Sequence, residues 1–139
     1  MFKVKKFFNI PVGHRLSKHL GRCQFIHGHN LKIEVEVMSE NLDKNDMVID
    51  FSILKEIVHE IIDDWDHGFL MNSSDSAYDN LKSLSFCNRR LILLNNSDPT
   101  AEVISKYLYE EIDKELPDGI FMKSITVWES DTACAIYEP

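Results

Sequence analysis

The stretch from His29 to Met38 alternates between apolar and polar side chains, and this pattern constrains the fold more than any other feature of the chain. A period of two is typical of a β-strand that buries one face and exposes the other. The residues on the apolar face are Leu31, Ile33, Val35 and Val37. The first residues, about Phe2 to Val12, are also β-like. We expect them to form a strand that pairs with the alternating one, joined through the segment from His14 to Cys23.

Two amphipathic helices are predicted in the middle of the chain. The first is capped by Asp50 or Ser52 and should end near Asp66-His67-Gly68. Its apolar residues, spaced three and four apart, are Ile53, Leu54, Ile57, Val58, Ile61, Ile62 and Trp65. The second helix has Asp98 as its cap and Pro99 at its first position. Its apolar face consists of Val103, Ile104, Tyr107, Leu108 and Ile112.

Two further strands are predicted after the second helix, which Pro117-Asp118-Gly119 terminates. In the first of these strands Ile125, Val127 and Glu129 share one face, and the last strand runs from Ala133 to Tyr137. A polar loop and a short apolar run separate the two helices: Asn72 to about Ser85, and Leu91 to Leu94. We therefore predict a single α+β domain over residues 1–139, with an antiparallel four-stranded sheet and two helices on one face.

Composition and charge narrow the class of protein. The chain has 139 residues, 44% of them apolar and 27% charged, which is typical of a globular domain. No apolar run approaches the roughly 18 residues that a membrane span needs, and the start is too lysine-rich for a signal peptide, so we expect a cytoplasmic protein with no membrane partner. A net charge of −8 disfavours nucleic acid as a partner. An odd cysteine count favours reduced thiols over disulfides.

Two histidines continue the alternating strand at its start. His27 and His29 are two residues apart, so on an extended backbone both imidazoles point to the apolar face. A divalent metal ion would satisfy them there, and His14 is the best candidate for a third ligand because a paired strand would bring it alongside; His19 is a weaker one. The alternative is a polar strand start with solvated histidines. Cys23 is expected nearby, unless it is only a small buried apolar residue.

The acidic residues Asp66 and Glu129 occupy positions that suit proton transfer and substrate binding, respectively. Asp66 and His67 lie where the first helix should end, and an imidazole beside a carboxylate suits a proton donor or shuttle. A histidine that only terminates the helix is the alternative. Glu129 follows an inward apolar row, where a buried carboxylate needs donors such as the N–H groups of a guanidine-like heterocycle. Alternatively, Glu129 has already reached solvent at the strand end.

Six motifs, in order and almost from end to end, resemble the family of 6-pyruvoyltetrahydropterin synthase and 6-carboxytetrahydropterin synthase, the latter also known as QueD. They are GHRL around His14, CQFIHGHN at 23–30, MVIDFSILK at 47–55, DWDHGFL at 64–70, DPTAE at 98–102 and VWES at 127–130. The fold that the resemblance implies is the tunnelling fold, or T-fold, whose protomers join their sheets into a barrel. It therefore implies a homo-oligomer, usually a hexamer of two stacked trimers.

The resemblance also implies roles for individual residues. The ligands of a catalytic Zn²⁺ would be His14, His27 and His29. Cys23 would be the thiol that accepts a proton, and Asp66 with His67 would form a proton relay. The pterin ring would be anchored by Glu129, and Thr100 would lie in the pterin pocket. Active sites of the family lie between protomers, so the thiol and the relay would meet across an interface.

The reaction implied by the resemblance starts from a small-molecule substrate, 7,8-dihydroneopterin triphosphate. In the carboxy branch it yields 6-carboxytetrahydropterin, acetaldehyde and triphosphate, on the route to queuosine and other 7-deazaguanines. Three residues separate Cys23 from His27, the shorter spacing associated with that branch. The alternatives are 6-pyruvoyltetrahydropterin synthase, an aldolase-like cleavage of the pterin side chain, and a zinc- or pterin-binding T-fold protein without catalysis. Candidates to offset the triphosphate charge are Arg15, Lys18 and Arg22.

Two features depart from the usual pattern of the family. IPVGH replaces the small residues that more often precede the first histidine, and the segment from Asp75 to Asn96 is longer than in compact members. Both could reshape the pocket, so they bear on the exact substrate.

Overall fold

A computed structural model describes all residues, 1–139, and contains six strands and three α-helices. The strands are β1 (Phe2–His14), β2 (His27–Ser39), β3 (Gly68–Asn72), β4 (Leu91–Leu94), β5 (Phe121–Ser130) and β6 (Ala133–Tyr137). The helices are α1 (Phe51–Ile62), α2 (Tyr78–Lys82) and α3 (Ala101–Glu115), and single 3₁₀ turns lie at Arg22–Gln24, Asp63–Trp65 and Asn88–Arg90. All strands form one sheet in the order β4-β3-β1-β2-β5-β6. No helix is long and apolar enough to cross a bilayer.

The four predicted strands are all present, as β1, β2, β5 and β6. β1 and β2 form a long antiparallel hairpin that runs from Phe2 opposite Ser39 to His14 opposite His27. β5 pairs antiparallel with β2, and β6 pairs antiparallel with β5. Both hairpin strands extend two residues further than predicted at the end that carries the histidines. The predicted α+β class is confirmed.

The prediction of a four-stranded antiparallel sheet is wrong, because two short strands extend the free edge of β1. β3 pairs parallel with β1, and β4 pairs parallel with β3. In β3 the neighbouring residues Leu70 and Met71, which point to opposite faces, are both fully buried. The sequence of a short strand that is covered on both faces is a continuous apolar run, so it lacks the alternation seen in β2.

The core lies between one face of the sheet and helices α1 and α3. The predicted inward residues of β2 are completely buried, and both helices contribute to the same apolar cluster. α1 follows an N-cap at Asp50, whose carboxylate accepts a hydrogen bond from the Ser52 N–H at 2.7 Å. α3 ends before Pro117, as predicted. The short helix α2 lies in the segment that was predicted as a polar loop.

The start of α3 differs from the prediction. Its N-cap is Thr100, whose hydroxyl accepts a hydrogen bond from the Val103 N–H at 3.2 Å, and the helix begins at Ala101. Asp98 was predicted as the cap, but its carboxylate is buried and is occupied by other donors. It accepts hydrogen bonds from Ser17 Oγ, the Lys18 N–H and Asn72 Nδ2, at 2.6, 2.7 and 3.0 Å.

Candidate metal centre and cleft

Three histidines meet at the end of the β1-β2 hairpin. His14 lies directly opposite His27, and His29 lies opposite Val12, so the register places all three imidazoles on the core face of neighbouring strands. Between the two histidines of β2 stands Gly28, where a Cβ atom would come within 2.9 Å of the Val12 carbonyl oxygen. The close approach of the two strands here therefore requires glycine.

The imidazole nitrogens are close enough to share one ion. One nitrogen from each of His14, His27 and His29 lies within 4.8 Å of the other two. The Nε2 atoms of His14 and His27 are 2.9 Å apart. No cysteine or carboxylate belongs to this group of ligand atoms, so it is a set of three imidazoles. Three protein ligands with an open fourth position are the usual donor set of a catalytic zinc.

The outer nitrogens of two of these rings are already hydrogen-bonded to backbone carbonyls. His14 Nδ1 donates to the Pro99 oxygen at 2.9 Å, and His27 Nδ1 donates to the Phe25 oxygen at 2.7 Å. A carbonyl can only accept, so in the neutral rings the proton sits on Nδ1 and the lone pair on Nε2. Two lone pairs would then face each other at 2.9 Å. A shared cation between them resolves this conflict, so the donor set fits a divalent metal ion.

Burial keeps His14 in its ligand form. The ring is 1% exposed, and burial lowers the pKa of His14 to about 4, although the Pro99 carbonyl opposes this shift. The neighbouring imidazoles of His27 and His29 lower the pKa further. His14 is therefore neutral near pH 7, and a metal ion does not have to displace a proton from it.

Asp66 and His67 form a pair on the turn between α1 and β3. His67 Nδ1 lies 2.5 Å from Asp66 Oδ1, and the His67 N–H donates to the Pro11 oxygen at 3.0 Å. His67 has a positive φ of 59°, a left-handed conformation that directs the chain sharply into β3. The side chains of His67 and Asp66 are 84% and 58% exposed. The pair is thus held by the backbone but open to a substrate or a second protomer.

An open cleft of about 610 Å³ connects the histidine cluster with this turn. His27, His29 and His67 all line it. The segment between Asp75 and Asn96 contributes three further lining residues, Phe86, Cys87 and Arg90. None of the site residues predicted from the sequence lies in this segment. The chain carries no local signal that would have done so, since only the pairing of β3 and β4 brings the segment here.

The other predicted site residues lie outside the histidine group in a single chain. Cys23 is half-buried in a 3₁₀ turn, and its carbonyl oxygen accepts a hydrogen bond from the Leu16 N–H at 2.8 Å. Glu129 is half-buried at a register shift near the end of β5. Thr100 caps α3 and follows Pro99, whose carbonyl holds the His14 ring. Their roles remain predictions.

Two buried acids that sequence reasoning did not assign to the site hold the segment between His14 and Cys23. The first is Asp98, which binds Ser17 and the Lys18 backbone as described above. The second is Asp75, whose side chain is completely buried and pairs with Arg15 at 2.9 Å. Hydrogen bonds to a charged acceptor are stronger than neutral ones, so these contacts fix the backbone that leads to the thiol.

A sheet that carries three convergent imidazoles at one end of its central hairpin, beside an open cleft, defines an α+β protein with a candidate metal centre. The family model described as 6-pyruvoyl tetrahydropterin synthase matches residues 3–139. The chain belongs to this family.

Individual relatives agree with the family match. The chain is 30% identical to a 6-carboxy-5,6,7,8-tetrahydropterin synthase of Rickettsia conorii, over 94% of this chain and 95% of that protein. It is 32% identical to a protein of the same name from Haemophilus influenzae, over 99% of each chain. The structure of 6-pyruvoyl tetrahydropterin synthase from Plasmodium vivax superposes with a TM-score of 0.74 at 21% identity, over 100% of this chain and 99% of that one. This likeness shows the T-fold.

Proposed function

We propose that the chain is a zinc-dependent 6-carboxy-5,6,7,8-tetrahydropterin synthase, a lyase. It would convert 7,8-dihydroneopterin triphosphate and water into 6-carboxytetrahydropterin, acetaldehyde and triphosphate, on the route to queuosine and other 7-deazaguanines in the cytoplasm. The observation that carries the proposal is the cluster of three imidazoles whose nitrogens lie within 4.8 Å of one another. Relatives with that name match this chain over nearly their whole length.

The metal would be held by His14, His27 and His29. Zn²⁺ supplies Lewis acidity to the hydroxyl groups of the substrate side chain, which makes the neighbouring C–H bond easier to break. The protein fixes the ligand orientation in advance, because the carbonyls of Phe25 and Pro99 hold two of the rings. A pre-set tautomer and a buried, neutral third ring reduce the reorganisation needed on metal binding.

Proton transfer would be divided between Cys23 and His67. Cys23 accepts the proton from the substrate carbon, and His67 returns one elsewhere on the side chain. Asp66 accepts the hydrogen bond from His67 Nδ1, which leaves Nε2 as the atom that faces substrate. The exposure of His67 supports this role, since the imidazole is free to reach a substrate in the cleft that it lines.

Recognition of the pterin would come from Glu129. Its carboxylate can accept two parallel N–H groups from the guanidine-like edge of the ring, a bidentate arrangement. The half-buried position near the end of β5 supports this role, because partial desolvation strengthens such a pair. Thr100 would contribute to the pterin pocket as a secondary contact, in addition to its capping of α3.

The assembly would be a homohexamer of two stacked trimers, with the thiol of one protomer close to the Asp66-His67 pair of another. Two observations support an oligomer. The edge strands β4 and β6 each leave one side of the sheet without a partner strand in the chain. Cys23 also lies outside the cleft that His27, His29 and His67 line. A second protomer would complete the site.

The second candidate is a 6-pyruvoyltetrahydropterin synthase, which the description of the family model favours. An aldolase-like cleavage of the same side chain belongs to the same group of reactions. The three-residue spacing between Cys23 and His27 supports the carboxy branch over both. A binding protein without catalysis is supported less, since it would not need a thiol and a paired imidazole.

Product analysis separates these functions. Purified protein of known zinc content is incubated with 7,8-dihydroneopterin triphosphate, and the products are identified by mass spectrometry. Acetaldehyde together with 6-carboxytetrahydropterin is the expected result. A 6-pyruvoyl product or a 6-hydroxymethyl product would instead establish one of the alternatives. No turnover by zinc-loaded protein would exclude all three reactions on this substrate.

A further inference from the structure

The cleft beside the histidine cluster differs in charge from the rest of the molecule. The chain has 23 acidic residues against 15 basic ones, yet no Asp or Glu lines this cleft. The one lining side chain with a permanent positive charge is Arg90. A lining that carries a cation and no carboxylate is a favourable place for an anion, with the nearest acids, Asp64 and Asp66, lying outside it.

Arg90 is held in place without being neutralised. It ends the 3₁₀ turn that leads into β4, and its Nη1 donates to the Asp64 carbonyl oxygen at 3.3 Å. The Asp64 carboxylate lies 3.8 Å away, but its side chain is 98% exposed, so water screens that pair. The other guanidinium N–H groups have no partner in the chain. A guanidinium with free donors in a fork geometry is suited to bind phosphate oxygens.

Two of the three basic residues that the sequence suggested for this task, Arg15 and Lys18, are less suitable. Arg15 is paired with the completely buried carboxylate of Asp75 at 2.9 Å, so its charge is already compensated. Lys18 lies near Asp98, and its Nζ donates to the Asn96 oxygen at 3.4 Å, outside the cleft. Neither side chain lines the cleft that His27 and His29 share with Arg90.

We propose that Arg90 binds the triphosphate group of the substrate and so selects phosphorylated over unphosphorylated pterins. This inference rests on the proposed function for the identity of the substrate, and it adds the residue that reads the phosphate. The segment between β3 and β4, which we predicted to be longer than in compact members of the family, supplies the residue. The segment would thus have a binding role, because it places a cation in the cleft that His27 and His29 also line.

The test compares Arg90→Ala with Arg89→Ala, which removes the same charge from the adjacent exposed residue that does not line the cleft. Binding of inorganic tripolyphosphate is measured by titration calorimetry at low ionic strength. We expect Arg90→Ala to weaken binding by about tenfold or more, as loss of a charge-assisted contact predicts, and Arg89→Ala by only about twofold. Arg90→Lys should fall between wild type and Arg90→Ala because it keeps the charge and loses the fork.

Equal losses in the two alanine variants, or no binding of tripolyphosphate to the wild type, would overturn the proposal. A second measurement separates it from the proposed function. The KM for 7,8-dihydroneopterin triphosphate should rise in Arg90→Ala, while the affinity for unphosphorylated 7,8-dihydroneopterin stays unchanged. Turnover with an unchanged KM removes Arg90 from the site and leaves the function intact. Tripolyphosphate binding through Arg90 without any turnover removes the function and leaves the phosphate site.

Discussion

The histidine cluster and the Asp66-His67 turn face the same cleft but are built in different ways. The cluster lies within the regular register of two long strands, with one ring fully buried and two rings fixed by carbonyls. The turn depends on a left-handed residue, and both of its side chains are largely exposed. The three predicted metal ligands are therefore together within one chain, whereas the Asp66-His67 pair is exposed and its predicted partner in proton transfer, Cys23, lies outside the cleft.

This comparison predicts that metal binding and turnover respond to different substitutions, and the largest effect is expected in the cluster. His27→Ala removes one of three imidazoles, and we expect a loss of zinc affinity of more than about 100-fold, since even indirect contacts to a metal ligand are worth about 10- to 100-fold. Zinc content after dialysis against a chelator measures it. His19→Ala is the control, because His19 is exposed and lies outside the cluster. If both variants lost zinc equally, the three-histidine site would be wrong.

Cys23→Ala should reduce turnover without reducing zinc binding. We expect kcat to fall by about 100-fold or more, as removal of a general base predicts, while zinc content and fold stay as in the wild type. Cys134→Ala provides a control at an exposed thiol. Cys87→Ala is the informative comparison, because Cys87 lines the cleft and Cys23 does not. Turnover that depends on Cys87 and survives in Cys23→Ala would mean that the thiol was assigned to the wrong residue.

The buried ring of His14 also predicts how the stability of the metal-free protein depends on pH. Burial lowers the pKa of His14 to about 4, below its ordinary value of 6.5. Folding therefore favours the neutral ring, and the contribution of His14 to the free energy of unfolding is fully present above about pH 6.5. It should decrease as the pH falls from 6.5 towards 4, by about 3 kcal/mol in total, because the unfolded chain then binds a proton that the folded chain does not.

Urea unfolding in the presence of a chelator, at several pH values in that window, measures this effect. His14→Asn is the matched variant, since its amide stays neutral and can still donate to the Pro99 oxygen. The variant should be less stable at pH 7, but its stability should depend less on pH between 6.5 and 4. Identical slopes for the two proteins would assign the pH dependence to groups other than His14.

The difference between the two regions also explains what the sequence could predict. The alternation in β2 and the two-residue spacing of its histidines determine both the strand and the face, so the proximity of His14 to them follows from pairing alone. β3, β4 and the cleft wall depend instead on contacts between distant segments. Leu70 and Met71 are buried on opposite faces, which removes the periodicity, and Arg90 reaches the cleft only because β4 pairs with β3.

Asp98 shows a second limit of prediction from local pattern. An Asp before a Pro at a helix start predicts a cap, and Thr100 two residues later is an equally good one. The choice between them depends on Ser17, Lys18 and Asn72, which are far away in sequence and bind the Asp98 carboxylate. Long-range hydrogen bonds of this kind carry no local signal, so the helix start was predicted too early.

The smallest expected effect concerns this hydrogen-bonded carboxylate, which anchors the segment between His14 and Cys23. Burial alone would raise the pKa of Asp98, but hydrogen bonds from Ser17, Lys18 and Asn72 outweigh it and lower the pKa. Ser17→Ala removes one donor at 2.6 Å, and we expect a loss of about 1 kcal/mol in the free energy of unfolding. Ser83→Ala is the control, because its hydroxyl makes only an exposed local bond to the Asn80 oxygen.

The consequence for the thiol distinguishes a positioning role from simple loss of stability. Leu16 donates to the Cys23 carbonyl, so looser anchoring of Ser17 should change the rate at which Cys23 is alkylated, while zinc affinity stays the same. The measurement uses protein in which Cys87 and Cys134 are replaced by alanine, so that one thiol reacts. If Ser17→Ala and Ser83→Ala changed the alkylation rate equally, the Asp98 contacts would have no part in placing Cys23.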